Sequence, residues 1–106
     1  MTRWLSCLVG GLLIAATGLS WAAAPAEVKI DNFTFSPAPL RVKRGEAVTW
    51  VNQDDIPHSI VLAALQVHSH ALDTNGTFVY RFDKAGVYNY ICGLHPAMKG
   101  QVVVTQ

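Results

Sequence analysis

Cys92, His95 and Met98 stand at a C-x2-H-x2-M spacing inside Tyr90-Ile91-Cys92-Gly93-Leu94-His95-Pro96-Ala97-Met98-Lys99-Gly100. A thiolate, an imidazole and a thioether offered from one short segment form a soft donor set, and softness selects copper. Two histidines and a cysteine in a trigonal set, with a long axial methionine, make a copper geometry suited to one-electron chemistry. That geometry needs a second histidine from elsewhere in the chain. His58 is the candidate, following the polar run Asn52-Gln53-Asp54-Asp55 and Pro57, which restricts the backbone before it. The expected centre is one copper held by His58, Cys92, His95 and, weakly, Met98.

Strands must position these donors. Val28 and Ile30 alternate with charged neighbours, as do Leu40 and Val42; Val48 and Trp50 alternate with Thr49 and Val51. Phe78, Tyr80 and Phe82 share one face, Tyr88, Tyr90 and Cys92 share another, and residues 100–105 form a closing β-branched run. Turn signals at Pro37, Gly45, Asp54, Asn75-Gly76 and Gly86 separate them. About seven or eight short strands, with no helical period beyond a turn near Ala63 to Leu65, predict an all-β, two-sheet antiparallel sandwich. Alternation points Cys92 inward, and the loop carrying His58 meets the Cys92 loop at one pole.

The N-terminus has a different character. Met1-Thr2-Arg3 is a basic start, Trp4 to Ala26 carries no charge, and the stretch ends Ser20-Trp21-Ala22-Ala23-Ala24-Pro25. That order predicts a secretory signal peptide over residues 1–22, cleaved after Ala22, leaving residues 23–106 as one periplasmic copper-binding domain. An uncleaved anchor is the competing reading, since the run is long enough to span a bilayer, but its glycines and small-residue end favour removal. Cleavage takes Cys7 and leaves Cys92 as a single thiol in an oxidising compartment, where it needs a purpose. It also takes Arg3, one of eight basic residues, leaving seven against seven acidic ones. A near-zero charge gives no basic field for nucleic acid and says nothing about protein partners. So small a domain without an internal disulfide would draw folding energy from its metal.

Three segments carry a family resemblance: Phe33-x-Phe35-x-Pro37, Gly45-x2-Val48-x-Trp50-x-Asn52 and Gly86-x-Tyr88-x-Tyr90-x-Cys92. Together they resemble the cupredoxins over nearly all of the mature chain, and the short C-x2-H-x2-M loop is most similar to the amicyanin branch. The resemblance implies a Greek-key β-sandwich, a type 1 copper on His58, Cys92, His95 and Met98, and a soluble electron shuttle. Many members carry Asn after the first ligand histidine and Thr or Ser after the cysteine, side chains that tie the two ligand loops together. Here Ser59 and Gly93 stand there, so the tether is expected to be weaker or rebuilt.

An apolar surround of Leu94, Pro96 and Ala97 predicts that the His95 edge reaches the surface in a small apolar patch. A donor and an acceptor (a dehydrogenase, c-type cytochrome or oxidase) would dock there transiently, on a monomer with no stable membrane insertion. Trp50, Phe33, Phe35, Phe78 and Phe82 read as core packing, Asp54 and Asp55 as turn formers, and His68-Ser69-His70 as a solvated edge in preference to a second metal site. A copper-trafficking or resistance role on the same fold is the alternative function. An enzyme is not expected, because multi-copper chemistry needs more than four histidines and no nucleophile–base arrangement is present.

Overall fold

The computed structural model describes residues 26–106; the expected leader lies outside the described residues. Nine strands follow in order: β1 (Ala26–Asp31), β2 (Thr34–Ser36), β3 (Leu40–Lys43), β4 (Ala47–Asn52), β5 (Val61–Leu62), β6 (Val67–His68), β7 (Thr77–Arg81), β8 (Gly86–Ile91) and β9 (Lys99–Thr105). One 3-10 turn, Ala63–Leu65, joins β5 to β6 at the place the sequence suggests. The strands form two sheets, ordered β2-β1-β4-β7 and β3-β9-β8-β5-β6.

The sandwich is as expected, but its sheets are mixed. β1 pairs with β4, and β3 with β9, in parallel; the other pairings are antiparallel. A period of two fixes which face a side chain takes, not the direction of the neighbouring strand. Parallel neighbours need a crossover of a dozen or more residues, and the path from Asp31 to Ala47, which contains β2 and β3, supplies one. The strand count exceeds the expectation because β5 and β6 have two residues each, too short to show a period.

Between the sheets lie the inward members of each alternation. Val28 and Ile30 of β1, Val48 and Trp50 of β4, Tyr90 of β8 and Val102 and Val104 of β9 are buried. Trp50 is central, meeting Tyr90 edge-on at 5.4 Å and the Phe78 and Phe82 rings at 5.8 and 6.4 Å. Its indole N–H and the Tyr90 hydroxyl are both buried without a hydrogen-bond partner. Burial pushes the Tyr90 phenol up to about 12. Gly100 lies directly across from Tyr90 in the β8–β9 ladder. A side chain there would run into the Tyr90 ring, so this position is open only to glycine.

β1 and β4 run parallel, and Cys92 just beyond β8 meets His58 beyond β4, so all three strands end at one pole. The segments that leave β4 and β8 there, 53–60 and 92–98, carry the candidate donors, and 32–33, after β1, packs beside them.

Candidate metal centre

His58 is placed by a polar scaffold at the end of β4. Asn52 is fully buried, and its amide donates to the Ile56 and Leu72 carbonyls at 2.8 Å each while its oxygen accepts the Asp54 N–H at 2.9 Å. All three bonds hold the 53–57 turn in shape. His58 then exchanges backbone hydrogen bonds with Leu72, donating at 3.1 Å and accepting at 2.6 Å. Its ring is completely buried.

Asp54 does more than form a turn, which corrects the sequence expectation. One carboxylate oxygen accepts from His58 Nε2 at 2.8 Å and from the Phe33 N–H at 2.9 Å; the other accepts the Asn32 N–H at 2.6 Å. Burial raises the Asp54 carboxyl, but the Phe33 N–H, the His58 ring and the Asn32 N–H outweigh it and hold the pKa below its ordinary value. A carboxylate can only accept, so the His58 proton sits on Nε2, and in the neutral ring Nδ1 is left as a lone pair.

That lone pair faces Cys92. His58 Nδ1 lies 3.5 Å from Cys92 Sγ, and His95 Nδ1 lies 3.7 Å from the same sulfur. Donor atoms of His58, Cys92 and His95 all fall within 4.8 Å of one another. Bonds of ~2.0 Å to imidazole and ~2.3 Å to thiolate, opened at about 120°, subtend an N···S edge of about 3.7 Å. Two imidazole nitrogens converging on one sulfur, which carries at most one proton, are an arrangement that a cation between them stabilises. The three residues therefore fit a trigonal metal.

Cys92 and Met98 close the second loop. The Cys92 N–H donates to the Met98 carbonyl at 3.1 Å and the Met98 N–H to the His95 carbonyl at 2.9 Å. Met98 is buried, as an axial thioether would be. The two loops are also tied directly. Ser59 N–H donates to Cys92 Sγ at 3.4 Å, and Gly93 N–H donates to the Ser59 hydroxyl at 3.0 Å. The inter-loop tether is rebuilt with one hydroxyl and one bare backbone amide.

Phe33 is the residue that sequence reasoning misplaced. It is half exposed (50%) instead of packed in the core. Asn32 and Phe33 adopt left-handed φ values of 53° and 58°, which break the strand alternation. The Asp54 carboxylate holds both amides, and the Phe33 ring is presented edge-on to His58 at 5.6 Å and to His95 at 5.3 Å. Leu94, the residue before His95, is equally exposed, so exposed apolar side chains flank the partly exposed His95 in space and in sequence. His68 and His70 stay outside the three-residue cluster. Between them, Ser69 accepts the Ile60 N–H at 2.8 Å and donates to the His70 carbonyl at 2.7 Å, a structural role.

The chain is 39% identical over 87 residues to amicyanin-alpha of Methylorubrum extorquens, covering 77% of this chain and 73% of that protein. It is 32% identical over 111 residues to the chloroplastic plastocyanin of Tetradesmus obliquus, covering 89% and 77%. Among solved structures, a Cu(I) form of an amicyanin variant superposes with a TM-score of 0.72 at 29% identity, covering 79% of this chain and 85% of that one. Residues 5–104 match the cupredoxin-like domain family, and with its donor cluster at the expected pole the chain belongs to the cupredoxins, as an amicyanin-like copper protein of the electron-transfer kind and not an enzyme.

Proposed function

We infer that this protein is a periplasmic one-electron carrier in which His58, Cys92, His95 and Met98 would hold a mononuclear type 1 copper. The observation that carries the reading is the convergence of two Nδ1 atoms on Cys92 Sγ at 3.5 and 3.7 Å. Copper, when bound, supplies a Cu(II)/Cu(I) couple. Everything else is the work of the chain. Asp54 fixes the His58 tautomer and ring plane, the Ser59 N–H supports the sulfur, and the buried loop contacts limit rearrangement between oxidation states. His58 is sealed from water, while His95 is partly exposed in the apolar patch and gives the electron its shortest way out. Residues 1–22 act as an export signal removed after Ala22, and residues 23–106 work as a monomer that meets its donor and acceptor near His95.

The test is spectroscopic. Copper added to the purified protein should give an intense blue thiolate-to-copper band that is lost in Cys92→Ser and kept in His68→Ala. A colourless complex, or colour that survives Cys92→Ser, would refute the ligand set. Ready copper transfer to a competing acceptor, with no reversible one-electron couple, would favour a trafficking role.

A further inference from the structure

Residues 26–106 hold seven basic and seven acidic side chains. They cancel in number but not in place. β1 ends at the metal pole and β9 begins there, so Asp31, Asp54, Asp55 and Asp73 collect at that pole against two cations, Lys99 and, two residues before Asp31 on the same face of β1, Lys29. The opposite pole, where β1 begins and β3 and β7 end, takes Arg41, Lys43, Arg44, Arg81 and Lys84 against Glu27, Glu46 and Asp83. Among the described residues the one ion-pair contact is His58 with Asp54, so no lysine or arginine is neutralised by a close partner. A formally neutral domain is thus a dipole along its strand axis, with its negative end at the candidate metal centre.

That negative end has an apolar middle. Phe33 is half exposed against the His95 ring, Leu94, the residue before His95, is half exposed as well, and Asp31, Asp55 and Asp73 are exposed at the same pole. Such a surface favours a partner whose own port is apolar at its centre and cationic at its edge, since opposed potentials orient the encounter and like charges suppress wrong ones.

We propose that the metal pole docks a redox protein whose electron port is rimmed by lysine or arginine, with Phe33, Leu94 and His95 at the contact and the pole's carboxylates steering the approach. This rests on the electron-carrier reading and adds the partner's chemistry to it. The steering charges are exposed, so salt screens them over a Debye length of about 10 Å at 0.1 M.

The test is stopped-flow electron exchange between the copper-loaded protein and a lysine-rimmed c-type cytochrome. The same cytochrome after succinylation, its lysines turned into carboxylates, is the second probe. With the native cytochrome the second-order rate constant should fall about 5-fold or more between ~20 and ~200 mM ionic strength. With the succinylated form it should start lower and rise with salt. Asp55→Asn with Asp73→Asn should cut the native low-salt rate about 3-fold and flatten the slope, with the blue band unchanged. Lys43→Gln with Lys84→Gln, at the far pole, should not lower it. A rate that rises with salt for the native cytochrome, or a slope untouched by the two aspartate changes, would overturn the proposal. Reduction by hydroquinone, which is neutral, separates the two readings. Absence of reversible reduction sinks the carrier itself, whereas reversible reduction without the salt dependence sinks only the docking chemistry.

Discussion

Ser59 and Gly93 fit one another across the two donor loops: the Ser59 hydroxyl accepts the Gly93 N–H at 3.0 Å, and a Cβ on Gly93 would lie 2.6 Å from that same oxygen. The residue after the histidine and the residue after the cysteine therefore constrain one another. A side chain on the cysteine loop would displace the hydroxyl that now ties the loops.

Gly93→Ala should accordingly destabilise the protein by about 1–3 kcal/mol, because Ser59 must turn away and Val61 Cγ2 is also only 3.0 Å from the new atom. In a Ser59→Gly background the same change should cost less, with a coupling of at least about 0.5 kcal/mol. Urea unfolding of the four proteins in the cycle measures it. Additive costs would show that the two positions are independent.

Asp54→Asn should loosen the metal. The three groups bonded to Asp54 are all N–H donors, and an amide can turn only one acceptor oxygen toward them, leaving its NH2 against a donor. Loss of a carboxylate behind a ligand histidine typically lowers metal affinity about 10- to 100-fold. Copper competition with a chelator, beside the position of the blue band, reads both the affinity and the ligand field. Unchanged values in both would remove Asp54 from the site.

The His58–Cys92–His95 cluster was legible because Cys92 and His95 lie in one loop at a spacing with chemical meaning, and because alternation through Tyr88 and Tyr90 aims Cys92 inward. His58 was legible from its place after β4. Asp54 was not, although a carboxylate four residues before a ligand histidine is a signal that could have been used. Phe33 misled because it lies in an alternating aromatic run, whereas the left-handed backbone at Asn32 and Phe33 turns it out of the sheet. Strand direction was beyond reach for a general reason: the period of two carries faces only, so the parallel pairing of β1 with β4 leaves no mark in either strand.

Phe33→Ala should open the site without unfolding it. The ring covers the edges of both histidines and is half exposed, so little core packing is lost and stability should change by less than about 1 kcal/mol. Copper loss to a chelator should speed up several-fold. An unchanged rate would mean that the ring does not shield the donors.

Alkaline pH should destabilise the metal-free protein through Tyr90. Its phenol is raised to about 12 in the fold against about 10 in the unfolded chain. Between those values the native state holds the proton that the unfolded state has released, so stability is full below pH ~10 and falls as pH rises toward 12. Tyr90→Phe should flatten that fall. At neutral pH it should cost little, because the hydroxyl it removes is buried without a partner. Urea midpoints at pH 7, 10 and 11 test both statements.

Removing the metal should lower the melting temperature sharply. A ligand that binds only the folded state adds about 4 kcal/mol at a thousandfold excess over its Kd, which in a domain of this size corresponds to a shift on the order of 20 °C. Calorimetry with and without copper measures it; coincident transitions would mean that copper contributes nothing to the fold.

β9 has a consequence for the order in which the molecule can be assembled. It is the last strand along the chain, yet it lies inside its sheet, between β3 and β8. Until residues 99–105 are available, β3 and β8 present unpaired amides to each other's absent neighbour. Tyr90 lacks Gly100 to pack on, and the Cys92 N–H lacks the Met98 carbonyl. The donor loop therefore takes shape only when β9 is paired, so metal capture depends on that pairing, and damage at residues 99–100, where β9 starts, is felt at the copper pole.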